Sequence, residues 1–412
     1  PEHFAKGILR AKYDIQVNKD GTTRYDMTQL PITHFKPKEI GTSVEELNTL
    51  GYYYDIYGLE LKDAEQVVEL KPQDIILPKC EDAPEQGADK ILYNVGMFID
   101  ELLVSLYKLK KFYNLNSEND LIGKLVVALA PHTSAGIVGR IIGFSKTQVF
   151  YAHPLFHAAT RRDCDGDEAS VTLLMDALLN FSRQFLPDTR GATQDAPLVL
   201  TSILIPTEVD DMVFDLDVVP HYTTEFYEAA AKHELPWNVK INRFANLLSL
   251  ENQEAKISFT HPVSNINAGV KCSSYKTIPS MEDKLKGQMD LAERIRAVDA
   301  SDVARLVIEK HLLRDIRGNL RKFSMQQFRC SKCTEKYRRP PLTGKCVACG
   351  SRLIFTVTEG AIIKYLEPAI SLSDKYNLPP YLKQVLELTK NRVEGVFGKD
   401  KEKQEGLGRW FG

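Results

Sequence analysis

The stretch that decides how this chain folds and works is Arg161-Arg162-Asp163-Cys164-Asp165-Gly166-Asp167-Glu168. In an extended backbone alternate side chains point the same way, so Asp163, Asp165 and Asp167 can converge on one side. Gly166 permits a tight turn and leaves room for a ligand. Carboxylates this close repel one another unless a cation neutralises them, and hard oxygen ligands on a short loop suit Mg²⁺. The stretch therefore predicts a magnesium site for phosphoryl or nucleotidyl transfer.

Two other interpretations of this loop need to be weighed. An EF-hand calcium loop needs Gly at position 6 and Glu at position 12. Counting from Asp163, Gly166 falls at position 4 and Leu174 at position 12, so that pattern fails. The second alternative is a surface turn that caps a following helix, because an acid at the end of the loop suits a helix N-terminus. It stays open here, since residues 168–186 are predicted to be helical.

The composition is that of an ordinary globular protein. The chain has 412 residues, 43% of them hydrophobic and 26% charged, which excludes global disorder and collagen and leaves room for several buried cores. No apolar run approaches the ~20 residues that a membrane-spanning helix needs. The first residues, Pro1 to Phe4, have no signal-peptide pattern and no initiator Met. The chain is therefore expected to be a processed or excised part of a longer one.

Charge is distributed unevenly along the chain. The formal net charge of -2 argues mildly against a nucleic-acid enzyme, many of which are basic. Residues 301–352, however, include thirteen Lys and Arg side chains against four Asp and Glu side chains. This segment is the best candidate for phosphate contact, and Arg338 and Arg339 within it are predicted to bind DNA. A solvated helical surface is the alternative interpretation.

Four of the seven cysteines form two tight pairs, Cys330 with Cys333 and Cys346 with Cys349. Twelve residues separate the pairs, and four thiolates in this spacing complete a tetrahedral Zn²⁺ site. All four positions are then filled, so the predicted zinc is structural. A redox pair is the alternative, and four cysteines in this spacing disfavour it. The odd total indicates a reducing compartment rather than a disulfide framework.

Local patterns predict several further elements. The turn Asn18-Lys19-Asp20-Gly21 predicts a hairpin between strands at residues 13–17 and 22–25. Apolar residues at helical spacing predict a helix over residues 89–113. Residues 223–250, 281–313, 360–376 and 380–396 are predicted to be mainly helical.

The flanks of the loop resemble a known active site. The run from His153-Pro154-Leu155 to the aspartates resembles the largest subunit of multisubunit RNA polymerases, where His-Pro-Leu precedes Asn-Ala-Asp-Phe-Asp-Gly-Asp at the same spacing. Here Arg161-Arg162 replace Asn-Ala, and Cys164 replaces Phe. The whole chain more closely resembles the large subunit of archaeal family D DNA polymerases. Landmarks of that family occur in order at Arg24-Tyr25-Asp26, Thr33-His34-Phe35-Lys36-Pro37, Leu70-Lys71-Pro72-Gln73-Asp74, Ala130-Pro131-His132-Thr133-Ser134-Ala135-Gly136 and Leu291-Ala292-Glu293-Arg294-Ile295-Arg296-Ala297-Val298-Asp299.

The resemblance implies an α+β multidomain fold with a double-psi β-barrel catalytic core, helical insertions, a zinc-ribbon-like module and a flexible C-terminal tail. Barrel strands are expected within residues 67–78, 124–151 and 197–205. A second barrel with basic catalytic residues is expected in an N-terminal portion of the same large subunit. The implied regions are a β-rich part (1–88), a helical insertion (89–123), the barrel core (124–222), a helical domain (223–325), the zinc module (326–357), a helical region (358–397) and the tail (398–412).

The resemblance also implies the activity, that of the catalytic large subunit of a replicative DNA polymerase in the archaeal cytoplasm. Asp163, Asp165 and Asp167 are then the catalytic Mg²⁺ ligands, and the substrates are dNTPs and a DNA primer-template. A small partner subunit with 3′→5′ exonuclease activity is implied as well. An RNA polymerase-like nucleotidyltransferase and a non-catalytic scaffold for DNA and clamp remain as alternatives.

Three basic residues near the loop are candidate substrate contacts. Arg161 and Arg162 can clamp a triphosphate or the template backbone, or they can compensate the acidic loop. His132 can meet the primer end or the nucleotide, and a structural histidine is the alternative. His153 and His157 are predicted to be structural.

The tail has a clamp-binding pattern. Gln404, two residues, an aliphatic, two residues and two aromatics resemble the motif that docks on the sliding clamp (PCNA). One turn of helix would place Leu407, Trp410 and Phe411 on one side as a hydrophobic plug. The alternative is a tail that docks on its own domain.

Overall fold

The computed structural model describes residues 2–18, 20–131, 133–181, 198–219, 221–248, 265–274, 277–295, 298–354 and 357–397. The chain is mixed α+β and forms two compact units, Pro1–Ser273 and Ser274–Gly412. No helix in the described ranges is long and apolar enough to cross a membrane.

The first unit is built on strands with helices packed against them. Its strands are β1 (Tyr25–Pro31), β2 (His34–Phe35), β3 (Val68–Glu69), β4 (Asp74–Pro78), β5 (Leu125–Leu129), β6 (Ala135–Ser145), β7 (Val149–Ala152), β8 (Glu168–Leu173) and β9 (Val199–Thr201). Its helices are α1 (Glu2–Lys12), α2 (Pro37–Ile40), α3 (Val44–Thr49), α4 (Ala88–Ser105), α5 (Pro154–Ala159), α6 (Leu174–Asn180), α7 (Thr224–Ala231) and α8 (Phe244–Leu248).

Six of these strands pair in a closed ring. The order is β4-β7-β1-β8-β5-β6, and β4 also pairs with β6, which completes the ring. Two of the pairings, β1 with β7 and β4 with β6, are parallel, and the others are antiparallel. Closing a sheet on itself removes the exposed edges that an open sheet would leave. The ring therefore provides a rigid frame for the loops that leave its strands.

The largest apolar cluster of the unit joins this ring to α4. Strand residues such as Ile75, Val126 and Val171 pack with the buried face of the helix, including Leu92 and Phe98. The helix begins one residue before the predicted start and ends at Ser105, so its predicted position is confirmed and its predicted length is too great.

Two local predictions for this unit are wrong. The residues that follow the aspartates form strand β8 and only then helix α6, whereas a continuous helix was predicted from residue 168. The surface-turn alternative thereby loses its helix. Among the described residues, 13–17 and 22–24 form no strand pair, although the turn itself exists, with Gly21 N–H donating to Asn18 C=O at 2.9 Å. Helix α1 occupies the preceding residues instead.

The second unit is mainly helical and includes one small sheet. Its helices are α9 (Met281–Arg294), α10 (Ala300–Val307), α11 (Leu313–Met325), α12 (Gly360–Lys375) and α13 (Pro380–Phe397), with a π-helical turn at Ile308–Leu312. Strands β10 (Phe328–Cys330), β11 (Lys336–Tyr337) and β12 (Leu353–Ile354) form a three-stranded sheet in the order β11-β10-β12. The helices predicted at residues 281–313, 360–376 and 380–396 are confirmed.

Candidate functional site

The aspartate loop, residues 160–167, connects α5 to β8. Strand β8 pairs with a strand on each side, β1 and β5, and its first residue, Glu168, pairs with Thr28 of β1. Within the loop Gly166 has φ +106°, a conformation that side chains with a Cβ rarely adopt, as the sequence predicted for this position. Arg161 also has a left-handed φ, +62°. The ring therefore fixes the end of the loop, while the backbone between α5 and β8 is irregular.

The three carboxylates meet as the alternating spacing predicted. One oxygen each from Asp163, Asp165 and Asp167 lies within 4.8 Å of the others. Asp165 is exposed, and the other two are half-buried. The pKa of Asp163 is raised, first by partial desolvation and then by the charges of Asp165, Asp167 and Asp210, while Arg162 opposes the shift. The cluster is therefore electrostatically strained without a cation.

One buried residue holds both ends of this acidic segment. The Nε2 amide of Gln29 donates to the backbone oxygen of Asp163 at 2.5 Å, and its backbone N–H donates to the backbone oxygen of Asp167 at 2.9 Å. Gln29 lies on β1 and is 0% exposed. This residue was not predicted from the sequence, because it is 134 positions from Asp163. Its only sequence signal is a polar side chain two positions after Met27, on the buried face of a strand.

A second residue missed by the sequence analysis is Asp210. Its backbone N–H donates to Ala158 C=O at 3.3 Å, at the end of α5, and its charge contributes to the raised pKa of Asp163. A fourth carboxylate thus faces the loop from the segment after β9. No local pattern could identify it, because 42 positions or more separate it from the other acids.

The helix before the loop is fixed by its histidines. The His153 ring accepts a hydrogen bond from Leu155 N–H at 3.2 Å and caps α5, and His157 Nε2 lies 3.1 Å from the backbone oxygen of Leu30. Burial lowers the pKa of each to about 4, so both are neutral at physiological pH. These contacts agree with the structural roles predicted for both histidines.

The arginines beside the aspartates differ in environment. Arg162 Nη1 lies 3.7 Å from Asp167 Oδ2, which favours charge compensation for this residue. Arg161 is exposed and makes no ion pair among the residues that the structure describes. His132 lies outside the described residues. Its neighbour Thr133 is described, and its backbone oxygen accepts a hydrogen bond from the buried Arg24 guanidinium at 3.0 Å.

The four cysteines of the two C-x₂-C motifs form a second cluster of possible metal ligands. Their sulfur atoms all lie within 4.8 Å of one another, and the pairs Cys330–Cys349 and Cys333–Cys346 are each separated by 3.4 Å. A disulfide needs about 2.05 Å, whereas thiolates around one zinc ion, each about 2.3 Å from it, lie near these separations. Hydrogen bonds from Ser351, through its side chain and backbone, lower the pKa of the Cys349 thiol to about 6. The geometry and the donor set fit a closed tetrahedral zinc site.

Comparison with known proteins identifies the family. A family model described as "DNA polymerase II large subunit DP2, catalytic domain" matches residues 1–284. The chain is 53% identical over 409 residues to the DNA polymerase II large subunit of Archaeoglobus fulgidus, an alignment covering 99% of this chain and 35% of that protein. This chain belongs to the DNA polymerase II large-subunit family. The same-named protein of Pyrococcus furiosus is 52% identical over 398 residues, covering 96% of this chain and 31% of that protein.

The matched relatives are much longer than this chain. The chain spans about a third of their length, between 31% and 36% for the first relatives. The match to the family includes the aspartate loop, because residues 1–284 contain it. The cysteine cluster lies beyond that model and inside the full-length alignments.

The basic segment predicted from the sequence forms a cleft in the second unit. The cleft, with a volume of about 740 Å³, lies where α11 meets the small sheet, and its lining includes Arg321, Lys322, Arg329, Lys336, Met325 and Val357. None of its four cations makes an ion pair with a described carboxylate. Elsewhere in this unit Arg305 pairs with Glu309 at 2.9 Å, and Lys375 pairs with Glu293 at 2.9 Å.

Other predicted contacts are outside this cleft. Arg338 and Arg339 are exposed on the turn after β11 and do not line the cleft. The clamp-binding residues Gln404, Leu407, Trp410 and Phe411 lie outside the described residues.

Proposed function

We propose that this chain contributes the metal-binding part of a DNA polymerase active site, which transfers nucleotides from dNTPs to a primer 3′ hydroxyl. The observation that supports this function best is the convergence of Asp163, Asp165 and Asp167 within 4.8 Å in a chain of this family. An RNA polymerase-like transferase and a non-catalytic scaffold are the competing functions.

The residues of the aspartate loop fit Mg²⁺. Their ligand atoms are hard oxygens, and the loop is open to solvent at Asp165. Partial desolvation raises the pKa of Asp163, and so do the charges of the neighbouring aspartates, which a cation would neutralise. Bound divalent ions would supply activation of the 3′ hydroxyl and charge neutralisation at the leaving pyrophosphate. In this proposal the loop would bind and orient the metal ions, and Arg161, which is exposed beside the aspartates, would contact phosphate.

The ring of six strands is proposed to be the double-psi β-barrel. Two of its strands, β1 and β8, lie outside the segments expected from the sequence, and β9, which lies within the expected residues 197–205, pairs with β6 outside the ring. Support comes from the number of strands and from the mixture of parallel and antiparallel pairs. In this proposal the chain supplies the acidic barrel, and basic catalytic residues come from an N-terminal portion of the large subunit. The helical domain, the zinc module, the C-terminal helices and the tail keep the boundaries predicted from the sequence.

The cysteine cluster is proposed to hold structural zinc in a ribbon-like module. Both knuckles occupy turns beside the sheet β11-β10-β12, and two of the sulfurs, those of Cys330 and Cys346, belong to its small core. Four sulfur ligands leave no position for substrate, so the zinc would order the module and take no part in the chemistry.

The cleft at the end of α11 is proposed to contact the DNA backbone. Its cations have no carboxylate partner among the residues that the structure describes, which favours phosphate, and the apolar side chains of Met325 and Val357 can lie against sugars. Arg338 and Arg339 would extend the basic surface. The remaining proposed partners are a small subunit with 3′→5′ exonuclease activity, the sliding clamp through residues 404–411, and an N-terminal portion of the large subunit, all in the archaeal cytoplasm.

Primer extension by the assembled polymerase tests this function. The double variant Asp165→Ala, Asp167→Ala is compared with wild type, and Glu45→Ala, Glu228→Ala is the control, because it removes two exposed carboxylates elsewhere in the unit. We expect DNA synthesis to fall by about a thousandfold or more in the first variant alone, because losing one preorganised group already costs 10²–10³. Equal synthesis by both variants would support a scaffold. A preference for ribonucleotides in wild type would favour the RNA polymerase-like alternative.

A further inference from the structure

A single buried residue, Gln29, contacts the backbone of both outer aspartates. Gln29 extends one hydrogen bond from its side chain to the backbone of Asp163 and one from its backbone to that of Asp167. It is fully buried on β1, a strand that pairs with β7 on one side and with β8 on the other. Its position is therefore set by the closed ring and not by the loop that it holds.

Two other described side-chain contacts of the acidic segment, residues 163–167, are weaker. The Cys164 thiol lies 3.6 Å from the backbone oxygen of Pro154, a long contact for a weak donor. The Arg162–Asp167 pair, at 3.7 Å, is partly exposed and screened by solvent. Mutual repulsion of the carboxylates works against these contacts. The amide of Gln29 is thus the strongest described side-chain contact to the segment between Asp163 and Asp167.

Loss of this amide would leave the strand intact and release one end of the acidic segment. Metal affinity depends on residues that orient the ligands, and removing such a partner typically costs 10–100-fold. We infer that Gln29 is a positioning residue that holds the aspartate loop in its cation-binding shape; the inference rests on the proposed function. Gln29 touches backbone only, so it is neither a ligand nor a catalytic residue.

The test measures Mn²⁺ binding to the full, zinc-loaded chain by electron paramagnetic resonance, with no nucleotide or DNA present. Gln29→Met keeps the volume and the backbone N–H and removes the amide donor. Gln73→Met is the matched control, because the Gln73 amide also donates to backbone oxygens, those of Val138 and Ser202 (2.8 and 3.0 Å), and neither residue belongs to the aspartate loop. Thermal unfolding of both variants measures the structural cost of losing an internal amide.

We expect Gln29→Met to weaken Mn²⁺ binding by about tenfold or more, while Gln73→Met leaves it unchanged. If Gln29→Met does not fold, Gln29→Asn, whose amide is one carbon too short to reach, takes its place with the same expectation. Wild-type affinity in a folded Gln29 variant would overturn the inference alone. An equal loss in the Gln73 control would overturn it too, since the effect would then be general destabilisation. Asp165→Ala is measured as well. If this variant binds Mn²⁺ as tightly as the wild-type chain does, the proposed function is overturned and the inference with it.

Discussion

The aspartate loop and the cysteine cluster both bring metal-ligand atoms within 4.8 Å of one another, yet their relation to the fold is opposite. The aspartates lie on a loop attached to strands that are stabilised independently of them, because β8 and β1 belong to a closed ring with a large apolar core. The cysteines form much of their own core, since Cys330 and Cys346, 1% and 3% exposed, are two of its three buried residues.

The proposed catalytic site and the proposed structural zinc site therefore differ in how they depend on the fold. The aspartate cluster keeps an exposed side chain, that of Asp165, so a metal ion bound there would be open to exchange and to substrate. Sulfur ligands that replace a hydrophobic core close their metal in and become necessary for folding. Removal of metal should therefore leave the first unit folded and unfold the small sheet of the second.

The largest expected effect is on the cysteine cluster. Chelation of zinc, or Cys330→Ser, should unfold residues 328–354, because zinc binding contributes on the order of 10 kcal/mol in small modules. Hydrogen exchange by mass spectrometry would follow this segment, and Cys272→Ser, outside the cluster, is the control. Protection that persists after zinc is removed would erase the contrast between the two sites.

The second prediction is the reverse behaviour of the aspartate loop. Asp165→Asn should lower primer extension by about a hundredfold or more. It should not lower the thermal midpoint of the metal-free chain, because the Asp165 side chain is exposed. Calorimetry with extension assays would check this. A chain that unfolds on this substitution would show that the loop, like the cysteines, is part of the structural core.

A third prediction concerns the basic cleft. Replacing Arg321, Lys322, Arg329 and Lys336 with Ala should reduce the slope of log affinity against log salt by up to about 3.6 units for duplex DNA, since each phosphate contact contributes about 0.9. Fluorescence anisotropy measures the slope. Arg305→Ala with Lys375→Ala is the control, because both cations already have carboxylate partners. An unchanged slope would assign the cleft to a partner other than DNA.

The smallest expected effect is a pH-dependent gain in stability. The folded-state pKa of Asp163 is raised, so its ionisation opposes folding as pH rises through the range just above its ordinary value of 3.8. Asp163→Asn should therefore slightly stabilise the metal-free chain at neutral pH, and the gain should disappear below that range. Denaturant titrations at several pH values would reveal it, and a gain that is independent of pH would exclude the charge cluster as its cause.

Local patterns predicted both clusters from the sequence, because each is set by spacing within one short segment. The alternation of acids around Gly166 and the two C-x₂-C pairs define their own geometry. The strand at Glu168–Leu173 was mistaken for a helix, although Ala169, Val171 and Leu173 alternate with polar residues. All residues of this strand but the first are buried, including the polar Ser170 and Thr172. A short buried strand and a buried helix segment cannot be distinguished by apolar spacing alone.

Residues that act over long sequence distances could not be predicted. Gln29 reaches the loop only because β1 and β8 pair, and Asp210 only because its segment returns to the end of α5. The basic cleft was predicted in part. The charge count identified its segment, but only the fold shows that Arg321 and Lys336 line the cleft and that Arg338 and Arg339 do not.

The most direct test of the central claim is anomalous scattering from Mn²⁺ in crystals of the assembled polymerase with primer-template and incoming nucleotide. We expect at least one peak about 2 Å from carboxylate oxygens of Asp165 and Asp167, beside the triphosphate. An ordered nucleotide and primer end with no peak at these carboxylates would contradict it.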